Sequence, residues 1–151
     1  MQEIIRAENI RKTFKLTRKQ RQIERSRSGK KVAPDGLSFT AYEAEIYGLL
    51  GPNGAGKTTM LRILSTLISA DAGEAYIAGH SVSREPDKVR SSIGFLTSEL
   101  KLEDFFTPDY LFGFFGKLHG LSQERIEARQ AELFPKFGID ASAQAQVGGP
   151  S

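Results

Sequence analysis

Along the first hundred residues, apolar and polar positions are ordered as short strands divided by turns. Ile4 to Ile10 predicts a short strand. Leu37, Phe39 and Ala41 alternate with Ser38 and Thr40, the period of a half-buried strand. Glu45-Ile46-Tyr47-Gly48-Leu49-Leu50 is an apolar run bounded by turn signals, the pattern of a fully buried strand in a parallel sheet. Glu74 to Ala78 and Ser92 to Leu96 are the next predicted strands. Gly51 to Gly56 holds three glycines, a Pro and an Asn in six residues, so it predicts a loop. After it, Met60, Leu61, Ile63, Leu64, Leu67 and Ile68 fall at helical spacing, predicting a helix from about Lys57 to Ser69 that ends at Asp71-Ala72-Gly73.

Beyond residue 98 the character changes. Thr107-Pro108-Asp109 is a helix start, with a hydroxyl cap followed by Pro in the first turn. The aromatic stripe Tyr110, Phe112, Phe114 and Phe115 follows, and a further helix opens at Ser122 and breaks near Pro135. The predicted organisation is a core over residues 1–98 and the start of a helical subdomain over 99–151.

The pattern lapses between the first two strands. Leu16 to Lys30 has only Leu16 and Ile23 as large apolar residues, too few to anchor it in a core, so it is expected to be a peripheral insertion. It dominates the charge. From Arg11 to Lys31 ten Lys or Arg face one acid, Glu24, a net +9; the rest of the chain carries eleven bases and seventeen acids, a net −6. Such a run is either a solvated loop or a contact for nucleic acid, anionic lipid or an acidic surface. Apolar residues at 39% and charged residues at 26% are ordinary for a soluble globular domain. No apolar stretch approaches the ~20 residues of a membrane span. Met1 to Ile10 alternates charge with apolar residues, unlike a secretory signal. The absence of cysteine removes disulfides, thiolate metal sites and cysteine nucleophiles, and His80 and His119 are read as surface or helix-end residues.

The chemistry concentrates in Gly51-Pro52-Asn53-Gly54-Ala55-Gly56-Lys57-Thr58, a match to G-x-x-x-x-G-K-[ST], the Walker A pattern. A polyphosphate needs many donors converging without side chains in the way. Gly51, Gly54 and Gly56 allow positive φ and turn backbone N–H groups inward. The helix from Lys57 aims the positive end of its dipole at the same point. Lys57 adds a point charge for the terminal phosphates, and the Thr58 hydroxyl is a hard oxygen ligand suited to Mg²⁺. A chance match in a chain this long has a frequency of about half a per cent at average residue usage. ATP with Mg²⁺ is therefore the expected ligand.

Ile46 to Thr59 closely resembles the nucleotide-binding domains of ABC transporters. So do Ala72-Gly73-Glu74 ahead of Ile77-Ala78-Gly79, and Ile93-Gly94-Phe95-Leu96. Phe106-Thr107-Pro108 through Phe115-Gly116-Lys117-Leu118-His119-Gly120-Leu121 is similar to the sodium-export branch of that family. The resemblance implies an α/β P-loop NTPase fold: a mostly parallel sheet with helices, a small N-terminal antiparallel β subdomain and the start of a helical subdomain. It implies an ATPase subunit coupling ATP binding and hydrolysis to transport. Its partners would be an integral membrane permease and a second ATP-binding subunit, closed head to tail, with no nucleic acid. Its place would be cytoplasmic, peripheral to the inner face of the cell membrane.

By the same resemblance Thr59 extends the loop, and Phe14 stands where the family stacks an aromatic ring on adenine. The chain also departs from the pattern. Ser98, followed by Glu99, aligns with a Gln that touches Mg²⁺ and the attacking water, so Ser98 is a candidate metal contact of shorter reach. Ala44 replaces a Gly before the Glu45-Ile46 run. Val147-Gly148-Gly149-Pro150-Ser151 aligns with the approach to the family's Leu-Ser-Gly-Gly-Gln signature, with Pro150 in place of Leu. The family's catalytic Glu, second Mg²⁺ anchor and switch His lie beyond, so these 151 residues are expected to bind Mg-ATP without turnover. A soluble ABC protein acting on ribosomes or nucleic acid, or a binding-only fragment, are the alternative readings.

Overall fold

The structure, a computed structural model, describes residues 1–23, 29–97, 105–139 and 142–145. The chain divides into two compact units, Met1–Phe95 and Leu96–Ser151.

The first unit is built on a four-stranded sheet. Strands β1 (Glu3–Lys15), β2 (Lys30–Tyr42), β3 (Ala72–Ile77) and β4 (His80–Ser81) lie in the order β2-β1-β3-β4. All three pairings are antiparallel, and register shifts interrupt both ladders of β1. The β1–β2 hairpin outruns its predicted strands at both ends, continuing through Thr13↔Val32, Phe14↔Lys31 and Lys15↔Lys30. The segment expected to be peripheral is thus the connection of this hairpin. It carries a short helix, α1 (Arg18–Ile23), and is drawn together by the Leu16 N–H donating to Gly29 O at 2.9 Å.

Helix α2 (Lys57–Leu64) covers one face of the sheet. Met60, Ile63 and Leu64, spaced i, i+3 and i+4, turn inward and meet Ala7, Ile10, Ala75, Ile77, Val82 and Val89 in one core. Val89 belongs to α3 (Pro86–Ser92). α2 is shorter than the predicted run to Ser69. Thr66 adopts a positive φ of 62°, which ends the helix and turns the chain so that Ile68 still reaches the core.

Two predicted strands are not paired among the described residues. Glu45–Leu50 and Ser92–Leu96 contain no ladder. Tyr47 and Leu49 nevertheless pack inward: the Tyr47 ring stacks on Phe39 at 5.0 Å, and Leu49 leans on the core. The alternate residues Ile46 and Leu50 are 105% and 95% exposed. The segment has the two-faced pattern of a strand and a cover on one face only. A strand is completed by the backbone groups of its neighbours, and no described neighbour lies alongside.

The second unit is a helical pair, α4 (Pro108–Leu118) and α5 (Gln123–Phe137). Thr107 caps α4, its hydroxyl accepting from Tyr110 N–H at 3.1 Å, and Ser122 caps α5 through Arg125 N–H at 3.3 Å. Pro135 lies inside α5, which runs on to Phe137 and closes on Gly138. The helices meet where Gly116 lies under Ile126: a Cβ on Gly116 would stand 2.7 Å from Ile126 Cγ1. Tyr110 and Phe114 stack at 6.2 Å, with Tyr110 also on Phe106 at 5.4 Å.

Candidate nucleotide-binding site

The loop 51–56 leaves the exposed segment 45–50 and enters α2. Its three glycines all have positive φ: 152° at Gly51, 84° at Gly54 and 95° at Gly56. Gly56 is the most constrained. It is buried, and a Cβ there would stand 2.6 Å from Pro34 N and 2.8 Å from Ala33 C. The loop is thus seated on the backbone of β2, and only a residue without a side chain permits that approach. Met60 N–H donates to Gly56 O at 2.8 Å, the first bond of α2. The N–H groups of the preceding turn have no intrahelical acceptor, and the positive end of the helix dipole lies with them.

Lys57 Nζ donates to Gly51 O at 2.5 Å and Pro52 O at 2.8 Å. The ammonium is held across the mouth of the loop. Moving to a phosphate would exchange two neutral acceptors for charged ones and add ion-pair attraction to bonds the ammonium already strengthens. Thr58 is exposed, while Thr59 is half-buried.

The cleft over the loop has a volume of about 310 Å³ and is lined by Phe14, Lys31, Ala33, Asn53, Gly54, Gly56, Lys57, Thr58 and Thr59. Phe14, forty residues away in sequence, is therefore brought to the loop, its ring 38% exposed. Asp71 pins the strand that carries it. The Asp71 carboxylate accepts from Lys12 Nζ and from Thr13 N–H, each at 2.7 Å. The Lys12 ammonium first, and the Thr13 amide second, hold the Asp71 carboxyl below its ordinary 3.8.

Ser98 and Glu99, and the segment Val147–Ser151, lie outside the described residues. His119 is an exposed residue closing α4, and His80 sits in β4 with its Nδ1 3.5 Å from Glu85 Oε1; neither lines the cleft. Sequence reasoning missed Lys31, Ala33 and Pro34. Lys31 was visible only as one charge in a basic run, and its place depends on the hairpin register opposite Phe14.

The donor set suits Mg-ATP. A glycine-rich loop, a lysine and a threonine hydroxyl line one cleft, and the Gly56 seat leaves no Cβ to fill it. These features define a P-loop nucleotide-binding fold. The family model described as ABC transporter matches residues 34–148. The Doxorubicin resistance ATP-binding protein DrrA of Mycobacterium tuberculosis (strain CDC 1551 / Oshkosh) is 45% identical over 120 residues, covering 80% of this chain and 36% of that protein. The ABC transporter ATP-binding protein NatA of Bacillus subtilis (strain 168) is 37% identical over 114 residues, covering 75% of this chain and 46% of that protein. A solved ATP-binding cassette, described as dimeric in a post-hydrolysis state with ADP and Pi, shares the fold at a TM-score of 0.77 and 22% identity, covering 98% of this chain and 63% of that one. The chain belongs to the ABC transporter ATP-binding family. It spans between a third and a half of the length of these two relatives. Among the described residues no helix is long and apolar enough to cross a membrane.

Proposed function

We propose that this chain supplies the ATP-binding half-site of an ABC export ATPase, with Mg-ATP seated between Phe14 and the 51–59 loop. The observation that carries the reading is the cleft itself, where a ring from β1 and the glycine-rich loop face each other. The loop amides and Lys57 hold the phosphates, and the Phe14 ring offers a face to adenine. Thr58 would hold Mg²⁺, which when bound neutralises phosphate charge. In the complete protein a membrane permease and a second ATP-binding subunit are the partners, and the site lies at the inner face of the membrane. The name of the doxorubicin-resistance relative, at the higher identity, favours a small organic compound over sodium as cargo.

The 151-residue chain binds without turnover in this reading. Among the described residues lining the cleft none is a carboxylate that could orient water. Titration with a fluorescent ATP analogue, beside a thermal melt and a phosphate-release assay, tests it. Lys57→Ala lowers affinity at least tenfold with an unchanged melt, because the lysine bonds only loop carbonyls and opens no core cavity. Unchanged affinity rejects the site, and Lys57-dependent phosphate release rejects the binding-only reading.

A further inference from the structure

We infer that Lys31 is a second cationic ligand for the nucleotide, serving the phosphate nearest the nucleoside while Lys57 serves the terminal phosphates. The inference rests on the nucleotide reading of the cleft and adds to it a residue outside the loop motif.

Phe14 and Lys31 are direct partners across the β1–β2 ladder. Residues opposite one another in an antiparallel pair project from the same face of the sheet, with Cβ atoms about 5 Å apart. Both line the cleft. Lys31 reaches over the loop from that strand: a Cβ placed on Gly54 would stand 2.9 Å from its Nζ and 3.5 Å from its Cε. Lys57 enters the same cleft from the start of α2, bonded to the carbonyls of Gly51 and Pro52. The cleft thus holds two ammonium groups and, among its described lining residues, no acid. A polyanion seated in the cleft would gain from both ammonium groups. Lys31 shares a strand face with Phe14, the proposed base platform, and its Nζ lies by Gly54, so in this proposal its phosphate is the one attached to the nucleoside. ATP and ADP both carry that phosphate.

The position also explains a use for the long hairpin. β1 and β2 stay paired through Lys15↔Lys30, one step beyond Phe14↔Lys31, so both residues sit in the unshifted stretch of the ladder that begins at Thr13↔Val32.

The test is titration of wild type, Lys31→Met, Lys31→Gln and Lys31→Arg with ATP and with ADP, at low salt and at about 0.15 M, each variant checked by thermal melt. The neutral variants should lose about tenfold for ATP and ADP alike, the size of one hydrogen bond to a charged group. Lys31→Arg should stay within about threefold of wild type, and the losses should shrink as salt screens the site. Two neutral variants keep the result independent of one that folds poorly. Neutral variants binding within twofold of wild type overturn the inference and leave the nucleotide site standing. A loss confined to ATP overturns the placement and moves Lys31 to the terminal phosphate. Wild-type protein that binds neither nucleotide overturns the site and this inference together.

Discussion

Two stretches of the first unit carry much the same local pattern and meet different fates. β1 turns Ile5, Ala7 and, past an irregularity, Ile10 to the core, and Glu45–Leu50 alternates around Tyr47 and Leu49. In β1 both edges are taken, by β2 on one side and β3 on the other, and Ile10 is 0% exposed beneath α2. In 45–50 no described strand lies alongside, and Ile46 and Leu50 stand almost fully in solvent. The difference is partnership. Apolar alternation marks which residues are able to be buried; backbone pairing and a facing layer decide whether they are. An exposed apolar edge of this kind is also a template for unwanted association.

The sharpest way to break the comparison is to delete the same atoms from both stretches. Ile10→Ala removes a buried side chain and should destabilise by about 2–5 kcal/mol. Ile46→Ala should change stability by less than about 0.5 kcal/mol, the usual range for surface sites. Urea unfolding followed by circular dichroism measures both, and equal effects would mean that 45–50 is buried in solution.

A smaller effect is expected at the junction. Ala44, in the turn leading into the exposed stretch, holds a φ of 62°. The left-handed region costs an L-residue roughly 1–2 kcal/mol, whereas Gly enters it freely at a lesser entropic cost. Ala44→Gly should therefore raise stability by up to about 1 kcal/mol, read as a higher urea midpoint at unchanged slope. A lower midpoint would mean that the turn is not held left-handed.

The smallest effect is electrostatic and concerns the end of β1. Asp71, bonded to Lys12 and Thr13, titrates below its ordinary 3.8 when folded. A depressed carboxyl stabilises the fold above its unfolded pKa, and that contribution is lost as pH falls through the folded value. Glu85, held down to about 2 first by Lys88 and then by Ser81 N–H, behaves likewise between 4.5 and that value. Asp71→Asn should lower the melting temperature slightly at pH 7 and flatten its fall below about pH 4. A variant with the same acid slope as wild type would show that the Lys12–Asp71 contact is absent in solution.

The loop 51–58 was legible in sequence because the pattern sets residue types at fixed spacing, and its three glycines take the positive φ expected of them. The caps at Thr107 and Ser122 were legible too, since a cap is made within three residues of its helix. Periodicity gave Met60, Ile63 and Leu64 of the α2 core face, while Leu61 of the same run is exposed. Strand length did not follow: β1 and β2 run on past their apolar positions through Thr13–Lys15, because a ladder is propagated by backbone groups that every residue carries. The end of α2 at Thr66 was hidden as well, since its apolar period continues to Ile68 through a turn.

By itself the sequence determined what is local or chemically encoded: the glycine-rich loop, the helix starts, the alternating faces and the basic run. The tertiary structure alone decided which distant residues share the cleft. Phe14 and Lys31 reach the loop through strand register, and Gly56 is tied to Pro34 by a close backbone approach. Register and close approach are relations between segments, set by pairing and packing across many residues. No window of sequence contains them.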